Sequence, residues 1–300
     1  MLMISHPFKW QIWSTIWFLI LPFSRRVSSV LPLRTQPVAA APVEQMLSLD
    51  LEENDYLYRI RKKSRIVYVS VLDGDIIPRD CRTDGDRVLS KLREIPEWEE
   101  EWKTLTVRRG FHGIDSTADE FMPHGLDLRQ LNIPGAVFLN LLDLTTVSRI
   151  SDRISRVKYD GETWVLKVAR FRHEIPALQQ EIWIYSTLTS TGFPLGPKFI
   201  GFVYEETEAR IVGFLMEEIC GETPDIHNLK DCVETVRLLH AFGIVHGDLN
   251  KYNFLMTEQG AKIFDFEASA AQGDVDPAAA EEEVKALASK LADESGIGKR

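Results

Sequence analysis

The chain has 300 residues, 44% hydrophobic and 27% charged, which excludes a disordered or fibrous protein and supplies enough chain for one large domain or two ordinary ones. With 35 Lys and Arg against 45 Asp and Glu, the net charge of −10 argues against a protein that coats nucleic acid. Three cysteines without a CxxC pair suggest neither a disulfide framework nor a structural zinc site and favour an intracellular setting.

Residues 1–43 contain no Asp or Glu but four basic residues, Lys9, Arg25, Arg26 and Arg34. The apolar run at 10–21, WQIWSTIWFLIL, falls short of the roughly 20 residues that a helix needs to cross a bilayer. The A-x-A-like stretch at 38–41 lies well downstream of it. A transit peptide, a signal or interfacial anchor, and an extension without a targeting role all fit this leader. Membrane contact is expected through it or not at all; the sequence does not fix the compartment, and an intracellular one is favoured, cytoplasmic, or mitochondrial if the leader is a transit peptide. Pro32, Pro37 and Pro42 read as a linker, so folded structure is expected from about Glu44.

Residues 44–136 form an α+β extension. The β-branched and aromatic runs at 56–60 and 65–72 predict strands, and Asp73-Gly74-Asp75 predicts a turn. Val88, Leu89 and Leu92 predict a helix over 86–94, and Pro96 restarts a helix through Trp98 and Trp102 whose solvated face is Glu97, Glu99, Glu100 and Glu101. No chemical motif occurs here, so a packing or partner-binding role is expected, with His112 and His124 as ordinary surface or core histidines.

From Val137 the texture changes. Strands are predicted at 144–150, 154–159 and 163–169, with Asp160-Gly161 as a hairpin turn. The two-residue period places Trp164, Leu166 and Val168 on one face and Val165, Lys167 and Ala169 on the other. Lys167 either faces water on an edge strand or, if its face is covered, requires an anionic partner. A helix beginning at Pro176, with Leu178, Ile182, Tyr185 and Leu188 as its apolar stripe, ends at Gly192. Glu181 in its middle is the candidate partner; Glu174 is better placed to complement the helix N-terminus. Strands at 198–205 and 210–216 complete a small lobe of five strands and one helix, left through a connector at 217–221.

The sharpest signal follows a helix at 229–242. Residues 246–253 read HGDLNKYN and residues 262–267 read KIFDFE. Two short strands pairing across a turn at 258–260 bring Asn253 and Asp265 together, an oxygen-ligand pair that suits Mg²⁺ completed by phosphates and water. Asp248 beside them can take a proton from an alcohol attacking a phosphate.

These two motifs, in the order strand Lys, helix Glu, catalytic Asp, Asn, metal Asp, resemble those of the protein-kinase-like superfamily over about residues 137–291. The resemblance implies an α+β, two-lobed fold: a five-stranded antiparallel N-lobe at about 137–216, a hinge at 217–221 and a truncated C-lobe at 222–300. It implies that Lys167 holds the α- and β-phosphates of ATP and pairs with Glu181, that Asp248 is the catalytic base, that Asn253 and Asp265 hold Mg²⁺, and that Val165 sits against the adenine. The implied activity is transfer of the ATP γ-phosphate to a protein or small-molecule hydroxyl; a nucleotide-binding scaffold of pseudokinase type is the alternative. The chain also departs from the common pattern. No GxGxxG occurs at 148–153, Gly247 replaces the arginine of HRD, Asn250 stands where Ser/Thr kinases have lysine, and Glu267 stands where DFG has glycine. Only 35 residues follow Asp265, without an APE motif, so the helical subdomain that docks peptides is expected to be missing. In these respects the chain is similar to RIO-type kinases, the small kinase of the KEOPS complex and the aminoglycoside-phosphotransferase group.

Overall fold

The first sheet is built from β1 (Glu44–Leu51), β2 (Tyr56–Lys62), β3 (Arg65–Val71), β4 (Thr104–Gly110) and β5 (Gly113–Ala118), in that spatial order. In this computed structural model residues 44–129, 131, 133–271, 276–296 and 298 are described; the apolar run and the proline-spaced stretch of the leader lie outside them. β3 and β4 are parallel and the other neighbours antiparallel. A parallel pair needs a crossover, and α1 (Gly85–Leu92) lies on it, capped by the Asp84 carboxylate accepting from Arg87 N–H. Tyr56, Tyr58, Val69, Leu89 and Leu105 pack in the core beneath. The helix expected through Trp102 is instead a single 3₁₀ turn, Pro96–Glu99, after which Glu100 is extended. Both tryptophans still enter the core, and the Lys62 ammonium lies 5.0 and 4.8 Å from their rings, a cation–π arrangement.

The second sheet contains β6 (Val137–Asn140), β7 (Thr145–Arg149), β8 (Ile154–Tyr159), β9 (Glu162–Val168), β10 (Phe199–Tyr204) and β11 (Ile211–Glu217), in the order β6-β10-β11-β9-β8-β7. Five of them form the expected antiparallel sheet; β6 adds a sixth strand, parallel to β10. Asp160 and Gly161, at φ 51° and 83°, supply the two left-handed residues of the β8–β9 hairpin turn. α2 (Ile175–Thr191) follows and ends at Gly192, whose φ of 74° suits a helix C-terminus. The two faces of β9 separate as the period requires. Leu166 and Val168 pack with Leu139, Val203 and Leu215, whereas Val165 and Ala169 join the main core with Ile182 and Phe214.

Beyond the connector come α3 (Leu229–Ala241), β12 (Ile244–Val245), the hairpin of β13 (Phe254–Thr257) and β14 (Gly260–Ile263), β15 (Ala270–Ala271) paired to β12, and α4 (Pro277–Leu291). Asp276 caps α4 and Pro277 opens it. Among the described residues no helix is long and apolar enough to cross a membrane.

The two sheets are joined through a buried charge. Glu205, at the end of β10, accepts from Arg59 Nε at 2.9 Å and Tyr68 Oη at 2.9 Å and pairs with Arg210 Nη2 at 2.7 Å. The segment after β5 runs across the same seam. The His124 ring bonds the Ala169 carbonyl at 2.8 Å, Leu126 N–H donates to Ile211 O, and Asp127 N–H donates to the Gln179 side chain on α2.

Candidate active site

The β9 lysine lies on the covered face. Lys167 is 2% exposed, and its Nζ lies 2.6 Å from Glu181 Oε2, 2.8 Å from Asp265 Oδ1 and 2.9 Å from Glu267 Oε1. An ammonium this deep requires such partners. α2 brings Glu181 in because that residue falls beside the apolar stripe of Leu178, Ile182 and Tyr185. Its second oxygen, Oε1, accepts from the Phe266 N–H at 3.3 Å, so one buried carboxylate ties the helix to both the lysine and the acidic motif. Glu174 is occupied elsewhere, accepting from the backbone of Arg170 and Phe171 and pairing with the Arg170 guanidinium.

β13 and β14 pair in register from Phe254↔Ile263 to Thr257↔Gly260, and Phe264 N–H donates to Asn253 O at 3.1 Å. Asn253 and Asp265 are thereby brought onto neighbouring chain segments. The Asn253 amide N–H donates to the Asp248 carbonyl at 2.7 Å, which leaves the amide oxygen as the atom to offer a cation. Asp265 holds φ 72°, a left-handed conformation that costs an L-residue about 1–2 kcal/mol. Phe266, fully buried against Tyr185 at 5.5 Å between ring centroids, anchors the strained turn. Oxygen atoms of Glu181, Asp265 and Glu267 all lie within 4.8 Å of one another, a hard-oxygen set of the kind that Mg²⁺ accepts. Asp248 is exposed at the surface of the loop.

The loop carrying Asp248 is held from an unexpected direction. Glu283 on α4 accepts from Gly247 N–H at 2.7 Å and His246 N–H at 3.3 Å and meets His240 Nε2 at 2.7 Å. Burial would raise the Glu283 carboxyl, but these hydrogen bonds outweigh it and hold its pKa below the ordinary value. His246 is buried beside them, and desolvation holds its pKa below 6.5; its Nε2 meets Phe264 O at 3.1 Å.

Next to the cluster a cavity of about 320 Å³ opens between the lobes. Val165, Ile154 and Met216 line it from the second sheet, Ile150 from the turn after β7, Glu218 from the connector, and Phe264 from the other side. Val165 precedes Lys167 by two residues on the same face, and Phe264 immediately precedes Asp265, so the apolar cavity leads directly to the charged cluster.

Of the six residues singled out from the sequence, Val165 lies in the cavity wall, Lys167 contacts both Glu181 and Asp265, and Asn253 donates to the Asp248 carbonyl. Two further residues belong to the cluster. Glu267 pairs with both Lys167 and Arg153, the latter through Nη2 at 2.9 Å. Burial would raise the Glu267 carboxyl, but the Lys167 ammonium and the Arg153 guanidinium outweigh it and hold its pKa low. The signals for both were in the sequence, as the non-glycine residue after Asp265-Phe266 and as the arginine of the non-glycine loop. Glu283, remote along the chain, had none.

The RIO domain family model matches residues 215–281, the stretch from the end of β11 into α4. No curated protein matches the chain.

Proposed function

As the chain belongs to the protein-kinase-like superfamily, through the RIO domain matched at its connector and lower lobe, we propose that it is an atypical kinase, transferring the γ-phosphate of ATP to a protein or small-molecule hydroxyl with Mg²⁺. Residues 137–300 are the catalytic unit in this reading and residues 44–136 an extension docked upon it. ATP dependence suits an intracellular compartment. The observation that carries the proposal is the contact of Lys167 with Glu181 and Asp265, with Val165 and Phe264, close along the chain to Lys167 and Asp265, in the wall of an apolar cavity.

In this reading Val165 packs against the adenine and the backbone of residues 217–220 meets its edge. Lys167, aligned by Glu181, holds the α- and β-phosphates. Asn253 and Asp265 offer oxygens to Mg²⁺, which when bound offsets the negative charge of the phosphates. Asp248, exposed and adjoining Asn253, accepts the proton of the acceptor hydroxyl as its oxygen attacks the γ-phosphorus and the bond to ADP breaks. Positioning and charge neutralisation supply most of the rate in such chemistry, so the buried cluster matters more than any single base.

Calorimetric titration with Mg-ATP and a turnover assay test this in the wild type and in Asp265→Ala. Binding and turnover are expected in the wild type and loss of turnover in the variant. Absence of nucleotide binding would refute the proposal, and turnover unaffected by Asp265→Ala would refute the assigned site.

A further inference from the structure

Glu267 stands between the two cations of the site. Its Oε1 lies 2.9 Å from Lys167 Nζ and 2.9 Å from Arg153 Nη2. Arg153 ends the turn between β7 and β8, in the position of the glycine-rich loop that this chain lacks. That turn is closed by Ile150 N–H and Ser151 N–H donating to Ile154 O at 2.9 and 3.0 Å. Arg153 itself is clamped to β9: its carbonyl accepts from Val168 N–H at 3.0 Å and its Nε donates to Val168 O at 3.3 Å. The guanidinium is thus aimed from the upper sheet at the acidic motif of the lower lobe.

One carboxylate oxygen holding an ammonium and a guanidinium side by side is the arrangement that a phosphate oxygen also satisfies. We propose that Arg153 binds the triphosphate in place of a glycine-rich loop, and that Glu267 is an internal stand-in for phosphate that surrenders Arg153 and Lys167 when nucleotide enters. The inference rests on the nucleotide-binding reading of the cavity. Charge makes the exchange necessary. Lys167 and Arg153 face Glu181, Asp265 and Glu267, with Glu174 Oε2 a further 3.8 Å from Arg153 Nε, so the cluster carries excess negative charge before a triphosphate arrives. Burial decides which carboxylate leaves. The Glu181 side chain is 0% exposed and tied to Phe266 N–H, and that of Asp265 is 10% exposed, whereas that of Glu267 is 22% exposed and can turn to solvent.

The test is calorimetric titration of the full chain with adenosine, and with ATP in the presence and absence of Mg²⁺, comparing wild type, Glu267→Gln, Arg153→Ala and Arg153→Lys. Charge-assisted contacts of this kind correspond to about tenfold in affinity or more. Glu267→Gln is expected to tighten ATP about tenfold with or without Mg²⁺, and Arg153→Ala to weaken it by a similar factor, with Arg153→Lys between. Adenosine affinity stays constant throughout. Weaker Mg-ATP binding by Glu267→Gln, with metal-free ATP unaffected, would make Glu267 a metal ligand and overturn the proposal. Equal ATP affinity in all four proteins overturns it too. A wild type that binds adenosine but gains nothing from the triphosphate overturns this inference alone, and one that binds neither overturns the nucleotide reading as well. Should Glu267→Gln fail to melt cooperatively, the Arg153 pair decides by the same comparison, since that side chain is already part-exposed.

Discussion

Gly247 and Ala268 approach so closely that a Cβ on residue 247 would lie 2.3 Å from the Ala268 carbonyl oxygen. Gly247 also holds φ 84°, in the left-handed region that only glycine enters without penalty. The arginine found here in common protein kinases is thus excluded by the backbone, not merely exchanged. The contact binds the loop of Asp248 to the segment after Asp265, and the Gly247 N–H adds its bond to Glu283.

Gly247→Ala is therefore expected to cost roughly 2–4 kcal/mol, from left-handed strain plus a backbone clash. Urea unfolding measures it. A variant as stable as the wild type would show that the loop lies elsewhere.

Lys167→Met is expected to destabilise the fold and, on the proposed function, to abolish turnover. It strands Glu181, which is fully buried, and removing one partner of a buried pair costs about 3–5 kcal/mol. The double variant Lys167→Met/Glu181→Gln is expected to recover part of that loss. A coupling energy near zero in the double-mutant cycle would contradict the pairing.

Asp248 is exposed and donates nothing to the core, so its removal should leave the fold alone. Asp248→Asn is expected to keep Mg-ATP affinity within about twofold while turnover drops roughly 100-fold or more, the range of a lost general base. Parallel calorimetry and single-turnover kinetics separate the two. Loss of binding with turnover reduced in proportion would assign Asp248 to the nucleotide instead.

Glu205 makes stability depend on acid. Burial would raise its carboxyl, but Arg59 and Arg210 outweigh burial and hold the folded pKa below the ordinary 4.5. The unfolded chain then binds the proton more readily, so the stabilisation is fully present above about pH 4.5 and disappears as pH falls through the folded value. Glu205→Gln should be less stable than wild type at pH 7 by about 3–5 kcal/mol, since two arginines lose their counter-charge. The gap should narrow toward pH 3. Denaturant midpoints across that range give the answer, and a constant difference would remove Glu205 as the source.

The site was legible because its signals are local. Asp248 and Asn253 share one short loop, and Lys167 was conspicuous as a charge among Trp, Val, Leu and Ala. Glu181 could be chosen over Glu174 from helix position alone. The first sheet was only partly legible. β5 is exposed along most of its length, so it shows no apolar alternation, and a bulge between Met46 and Ser48 breaks the period of β1. β6 is four residues long and gains its place only by pairing with a strand that follows much later. The Arg59–Glu205 and Glu283–Gly247 contacts join residues too distant along the chain for periodicity or spacing to register.

The segment between the two sheets also sets a mechanical limit. Asp127 N–H is bonded to Gln179, two residues before Glu181 on α2, while His124 and Leu126 grip Ala169 and Ile211 on the sheet beneath. Swinging that helix outward, which would part Glu181 from Lys167, would have to break this tether or drag the first sheet with it. The helix is leashed to the scaffold it would leave, so force applied to the extension is force applied to Glu181.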